Sequence, residues 1–413
     1  MAPADGEGDH GVRASDRAAE NGELTPAASV PWGSRTVQVV LASTALAPLG
    51  VPLVAPALPA FRDAFLLSDA QASLLISGYF AAGIVLSPFI GLLADRAGRK
   101  RVLVAGLLAF GLLGSSVALS PSFGTVLVLR LFQGTAAAAI FITTVTLIGD
   151  RFEGPRRAAV LGVNVAVLSA AAALYPVVGG ALVSFGWNVP FLSYLAALPV
   201  AMFAWVGLEE PARSAGGRGV AYLRAALDTV LAGSTLALFG ATFLTEFLAF
   251  GVVFTAFPFV LAPVLSPVLV GAVILVAEAV STLAAAASGR LANVLSSVRL
   301  LPVGFACYGV GFLVAWLAPE PAVVAVAALF VGAGIGLLLP SIDAALTARV
   351  PTEYRAGALS LRNSTTFLGR AAGPVAFAGL AVTVGLGYPV LLLGAGVLAL
   401  AVAGVAVLAT GET

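Results

Sequence analysis

Six ionisable side chains interrupt otherwise apolar stretches of this sequence: Arg130, Glu246, Glu278, Asp343, Arg362 and Arg370. A charge in an apolar medium costs at least about 2.5 kcal/mol unless it finds a partner. Residues of these types in such places therefore either pair with one another or do chemistry. The chemistry open to them is narrow: carboxylates exchange a proton or hold a cation, and guanidiniums hold an anionic group or bias a neighbouring carboxylate. The one cysteine, Cys307, permits no intrachain disulfide and no thiolate metal site. The one histidine, His10, lies in a polar N-terminal tail, which removes the usual general base and metal ligand from the apolar stretches. No metal site and no cofactor is expected, and no GxxxxGK[ST] stretch is present to cradle a nucleoside triphosphate.

Spacing groups these residues. Arg130, Gln133 and Gly134 fall at i, i+3 and i+4 and share one helical face. Arg362, Thr366 and Arg370 recur every four residues as one stripe, and Thr242 with Glu246 forms another. Glu246, Glu278 and Arg370 sit near the middle of their apolar runs, where an unpartnered ion is hardest to tolerate. They are the leading candidates for a central site, with Arg130, Gln133 and Asn164 as further candidates for substrate and proton handling. Asp343 and Arg362 lie about two turns from one end, as an inner gate pair would. Static structural ion pairs are the alternative for all of these charges.

The elements that must position these groups are membrane spans. Of 413 residues 60% are hydrophobic and only 10% charged, so lipid is the solvent for most of the chain. Apolar runs place helices near 36–59, 70–93, 101–120, 124–149, 157–183, 188–208, 230–261, 267–289, 299–318, 321–347, 356–383 and 386–409. Apart from Arg101 and Arg299 at their first positions, spans 3, 6, 9 and 12 carry no charge. With 21 basic and 20 acidic residues, the balance gives no nucleic-acid footprint. Three basic residues lie in the N-terminal tail and four, three, three, two and two follow spans 2, 4, 6, 8 and 10, so 17 of the 21 fall on one side. The positive-inside rule makes that side, and both termini, cytoplasmic.

The chain divides into a disordered cytoplasmic tail at 1–35, a six-helix half at 36–208, a Gly- and Pro-containing linker at 209–229 and a second six-helix half at 230–409. A shift of 198 superposes Gly91, Ala94 and Arg101 on Gly289, Ala292 and Arg299, with Asp95 meeting Asn293. The same shift brings Gly134 onto Gly332, Arg151 onto Arg349, Arg157 onto Arg355 and Pro176 onto Pro374. The shift spans an even number of helices, so the two repeats share one orientation.

Three stretches then carry a resemblance. Between spans 2 and 3 the chain reads GLLADRAGRKR, residues 91–101, with Gly91, Asp95, Arg96, Gly98 and Arg99 at spacings that resemble the loop signature of the major facilitator superfamily. Gly91 is expected to admit a neighbouring helix, and Asp95 to form an ion-pair latch of gating rather than substrate-binding role. RLFQG, with Arg130, Gln133 and Gly134, resembles the span 4 motif of proton-coupled members, which implies that Arg130 biases the protonation of a carboxylate. Taken as a residue alone, Arg130 is equally an arginine reaching for the outer interface. ALYPVVGGAL in span 5 resembles the family's antiporter motif at Pro176, Gly179 and Gly180, but Tyr175 stands where that motif has glycine. Gly373 and Pro374 keep part of the pattern in span 11.

The resemblance implies an all-α membrane protein of twelve transmembrane helices in two six-helix pseudo-repeats, the major facilitator fold. It further implies a multi-pass transporter of the cell membrane, not an enzyme, working by alternating access. The residues favour proton-coupled efflux of a lipophilic or cationic compound. Proton-coupled uptake of an organic anion is the alternative, and a non-transporting membrane sensor is a third reading. The expected partners are a small-molecule substrate, a proton or other coupling ion, and the lipid bilayer.

Overall fold

The computed structural model describes residues 29–210, 227, 234–317 and 320–411. Most of the expected tail, most of the expected linker, His10 and the expected start of span 7 at 230 lie outside the described residues. Twelve helices among those described are long and apolar enough to cross a bilayer: α1 Arg35–Ala64, α2 Asp69–Ser87, α3 Arg99–Leu119, α4 Phe123–Arg151, α5 Gly154–Val183, α6 Val189–Gly207, α7 Thr235–Leu261, α8 Pro267–Ala292, α9 Val294–Leu317, α10 Pro321–Arg349, α11 Gly357–Val382 and α12 Gly387–Ala409. The chain is an all-α membrane protein of two six-helix pseudo-repeats. In hydrocarbon a backbone has no water to bond, so the helix, which closes its own hydrogen bonds, is the structure such apolar runs adopt.

Local signals set the ends. Ser68 caps α2, its hydroxyl accepting from the Gln71 amide at 3.2 Å while the Gln71 side chain accepts from the Ser68 amide at 2.9 Å. Pro155, Pro190, Pro267 and Pro321 stand in the first turns of their helices, where the missing amide hydrogen costs nothing. Helix α2 continues beyond its apolar part to Ala97 and stops at Gly98, whose φ of 95° favours glycine. The expected loop between spans 8 and 9 contracts to a kink: the backbone is helical from Pro267 to Leu317 except at Ser296, with φ 56° and ψ 151°.

Two helices are irregular inside the membrane. Three prolines four residues apart, Pro48, Pro52 and Pro56, break α1 into an α-helical part Arg35–Leu46, tight 3₁₀ turns over Ala47–Gly50 and Ala55–Ala57, and a last helical piece Leu58–Ala64. In α7 the stretch Ala249–Ala256, just before Pro258, widens to a π-type helix with all eight residues buried.

The repeat read from the sequence recurs in packing. Gly134 on α4 lies against the Tyr79 carbonyl of α2, and 198 residues on Gly332 of α10 lies against the Ala277 carbonyl of α8. A Cβ on Gly106 would stand 3.3 Å from the Ala136 carbonyl oxygen, and one on Gly304 would stand 3.4 Å from that of Gly334, again 198 apart. Gly91 differs from its expectation: no atom lies within 4 Å of where its Cβ would be, and the same holds for Gly289. Helix α2 meets the second half around Gly83, against Phe367, rather than at the basic end.

Close helix contacts of this kind tolerate no side chain. Gly134→Leu should lower the unfolding free energy in mixed micelles by about 3 kcal/mol through overpacking, whereas Gly289→Leu should leave it within about 0.5 kcal/mol. Denaturant titration followed by circular dichroism checks both, and equal losses would contradict the assigned packing.

Candidate functional site

At mid-membrane the structure joins two of the expected residues. Glu246 of α7 and Arg370 of α11 form a two-pronged ion pair, Nε to Oε2 at 2.9 Å and Nη2 to Oε1 at 3.0 Å. Glu246 is buried; the Arg370 side chain keeps 31% of its exposure. The guanidinium also lies over the rings of Phe250, at 5.0 Å on α7, and Phe80, at 5.6 Å on α2. Gly369 and Gly373 make the approach possible, because they set α11 directly against the α7 backbone at Phe243 and Phe247. Phe80 brings the first half onto a pair that otherwise belongs wholly to the second.

Glu278 of α8 is half-buried, and its carboxylate meets no hydrogen-bond or ion-pair partner among the described residues. Arg370 and Glu246 lie within Coulombic reach of it. Toward the basic end, Arg362 Nε stands 3.1 Å from Asp343 Oδ1, a distance that makes an ion pair, yet the two atoms are not aligned for a hydrogen bond. Ser341, Ser364 and Thr366 keep buried hydroxyls unsatisfied on the same two helices. Asp343 in turn feels Glu246. Inside its spans, away from their ends, the second half therefore holds, among the described residues, three carboxylates, Glu246, Glu278 and Asp343, against two guanidiniums, Arg362 and Arg370.

Arg130 sits elsewhere. It is fully buried within the first half, donating to the Leu75 carbonyl at 2.9 Å, the Gly50 carbonyl at 2.6 Å, Gln133 Oε1 at 2.9 Å and the Tyr194 hydroxyl at 3.1 Å. The Tyr79 ring covers it at 4.5 Å. Every hydrogen-bond acceptor is neutral, and no carboxylate touches it. It satisfies one carbonyl in the break of α1, that of Gly50, as the Tyr194 hydroxyl does at Leu49 (2.7 Å) and the Tyr175 hydroxyl at Ala45 (2.9 Å). Tyr175, the departure from the glycine of the antiporter-like stretch, thus has a structural occupation. Gln133 completes the cluster, and Asn164, also buried, accepts from Thr44 at 2.7 Å. The structure does not bring Arg130, Gln133 or Asn164 to the Glu246–Arg370 pair.

At the basic end Arg99 bonds Asp95 at 2.9 Å and pairs with Asp150 of α4, while Arg96 lies in the last turn before Gly98. Arg151 reaches Glu209 at 3.5 Å. These pairs and Asp343–Arg362 each stay within one half. The opposite end is where the halves meet. Gly179 abuts Leu53 of α1 in its own half, Gly180 abuts Pro267 of α8, and Gly271 of α8 abuts Pro176. Asp69 of α2 accepts from Tyr388 of α12 at 2.9 Å and from Arg62 at 2.8 Å, and Arg62 lies 5.6 Å from the ring centre of Phe259. Sequence reasoning passed over Asp69, Tyr388, Phe259 and Phe80. Charges and aromatics at span borders are ordinary, as is a phenylalanine such as Phe80 inside an apolar run, and only the fold shows what faces them.

Twelve helices in two like-oriented repeats around a buried charge cluster define a membrane transport protein rather than an enzyme. The family model described as Major Facilitator Superfamily matches residues 40–265 and 238–413, and the chain belongs to that family. It is 33% identical over 216 residues to the uncharacterized MFS-type transporter YwoD of Bacillus subtilis (strain 168), a match that spans 51% of this chain and only 46% of YwoD. It is 27% identical over 351 residues to the bacillibactin exporter of the same organism, spanning 80% of this chain and 86% of that protein. A crystal structure of the nucleoside transporter NupG shares the fold, with a TM-score of 0.77 at 10% identity over 90% of this chain and all of that one.

Arg370→Gln leaves Glu246 buried without its partner and should cost about 3 kcal/mol of stability. Adding Glu246→Gln to the same chain should restore most of that loss. A double-mutant cycle in micelles reads the coupling, and strictly additive losses would show that the two side chains do not interact.

Proposed function

We propose that the chain is a proton-coupled exporter of a singly charged lipophilic cation, with Glu278 as the exchange site. One observation carries the reading: inside the spans of the second half, away from their ends, three carboxylates stand against two paired guanidiniums among the described residues, and the carboxylate left over is Glu278. The ionised network is short of one positive charge. A proton on Glu278, or an organic monocation beside it, supplies that charge. Arg130 does not supply it, because it is locked onto carbonyls in the first half.

Coupling follows from the cost of carrying an uncompensated charge through an occluded, low-dielectric state. With either proton or cation present the second-half network is neutral and the halves can rock; with neither, it bears a net negative charge and resists closure. Proton and cation thereby compete for one place and move in opposite directions. The halves proposed to move are residues 36–208 and 230–409, joined by a linker at 209–229, with both termini and the tail at 1–35 in the cytoplasm of a cell whose plasma membrane holds the protein. On that orientation the braced end, at Asp69–Tyr388 and Gly180–Pro267, is the outer one. Asp95, Arg99, Asp343 and Arg362 then stand at the cytoplasmic mouth as gating residues. Likeness to a bacillibactin exporter supports the outward direction. The anion-uptake alternative finds less support, since Arg130, Arg362 and Arg370 all have partners already.

Proteoliposomes with a pH-sensitive dye inside and an imposed proton gradient test the reading. Adding tetraphenylphosphonium should move protons in wild type, and Glu278→Gln should reduce that flux at least tenfold. Unchanged flux in Glu278→Gln would sink the assignment. Proton movement driven by organic anions alone, and abolished by Arg370→Ala, would make the protein an uptake symporter instead.

A further inference from the structure

We propose a second organic-cation site, separate from Glu278, in the cleft that the two halves form at their braced end. A cavity of about 300 Å³ lies there, walled by Pro59, Arg62 and Asp63 of α1 and by Phe259, Leu265 and Pro267 of the α7–α8 region. That volume is at the lower bound of small-molecule sites. Proline and leucine give it a stiff apolar wall, which suits a hydrocarbon body better than a strongly hydrated ion.

Charge selects the ligand. One guanidinium, Arg62, serves two carboxylates: Asp69 through Nη1 at 2.8 Å and Asp63 through Nε at 2.9 Å. Asp69 is the better served, since the Tyr388 hydroxyl donates to its other oxygen and its side chain is only 14% exposed. The excess negative charge therefore resides on Asp63, whose side chain is 68% exposed and lines the cavity. A carboxylate with spare acceptor capacity beside an apolar wall fits a quaternary ammonium carrying an aromatic or aliphatic body. An anion would meet the Asp63 carboxylate and a guanidinium already engaged with Asp63 and Asp69.

The walls come from both halves, which gives the site a consequence. The cavity in this form exists only while this end is closed, so a bound cation stabilises the closed state by its differential affinity for it. On the orientation proposed above, the ligand enters from outside and holds the protein facing inward, so exported cation that accumulates outside would slow its own export. The binding argument uses only local charges and stands without the role given to Glu278.

Calorimetric titration of the purified full-length protein with benzyltrimethylammonium, and separately with benzenesulfonate, tests the site in wild type and in Glu278→Gln. The cation should bind in both, benzenesulfonate in neither. Asp63→Asn should weaken the binding seen in Glu278→Gln at least tenfold, and Ala262→Trp, which fills the cavity, should abolish it. Hydrogen exchange over residues 56–63 and 267–271 should slow on adding the cation to wild type but not to Asp63→Asn, whose exposed side chain is dispensable for folding. If the cation binds wild type and is lost in Glu278→Gln, while Asp63→Asn and Ala262→Trp change nothing, the only cation site is the central one; this proposal then falls and the exchange reading survives. Equal binding of benzenesulfonate, or slowed exchange that persists in Asp63→Asn, would also overturn it.

Discussion

The hydrocarbon around α1–α12 offers no hydrogen bonds, so every freed carbonyl and every buried charge must be met by the chain itself. The break in α1 shows what that demands. Three prolines deny the helix its own amide donors, and the exposed carbonyls at Ala45, Leu49 and Gly50 are taken by Tyr175, Tyr194 and Arg130. Those side chains come from α5, α6 and α4, so one local irregularity fixes how four helices of the first half sit together. An arginine can do this where a lysine cannot, because its planar fork reaches Gly50, Leu75, Gln133 and Tyr194 at once. The second half answers its own irregularity differently: the π-type stretch of α7 keeps its bonds internal by widening, with the Thr255 hydroxyl donating to the Phe250 carbonyl at 2.9 Å.

The same constraint separates the two ends of the molecule. Where α5 and α8 touch, at Gly180 against Pro267 and Gly271 against Pro176, backbone meets backbone and no side chain intervenes. Such contact is tight but carries no hydrogen bond or charge across it, so it can be broken without stranding a polar group. The Asp69–Tyr388 bond adds one polar tie at the rim, where water can replace it. At the basic end Arg99, paired with Asp95 and Asp150, braces the first half and Asp343–Arg362 braces the second, and none of these pairs crosses the seam between the halves. Rigid halves and a separable seam are what rocking requires.

Hydropathy and charge asymmetry are local properties, so the number of spans, the basic loops and the 198-residue repeat were all legible in the sequence. The candidates at mid-membrane were legible too, because depth follows from position along an apolar run. Their partners were not. Glu246 and Arg370 are 124 residues apart, and on depth alone Arg370 could equally have paired with Glu278. Arg130 was harder still, since two of its acceptors are main-chain carbonyls, which every residue has and no sequence pattern marks. Gly91 was expected to face a close neighbour and has none, because a loop signature reports what a glycine permits and not which end of the bundle is closed.

Arg130 and Arg370 carry the same charge at different depths and are held by different chemistry, and that difference decides what each can do. Arg130 spreads its charge over neutral acceptors inside a buried pocket, so removing it would weaken the bonding of the Gly50 and Leu75 carbonyls of α1 and α2. Arg370 shares its charge with one carboxylate, remains a third exposed and rests on rings from both halves, Phe80 and Phe250. In the proposed exchange, a proton or cation at Glu278 would alter the field that Arg370 feels without breaking any bond it makes. The aromatic faces let the guanidinium adjust by small displacements at little cost, and because Phe80 belongs to α2, each such displacement bears on the seam between the halves. Under the proposed exchange, occupancy at Glu278 and the packing of the two repeats are thus connected through a single side chain.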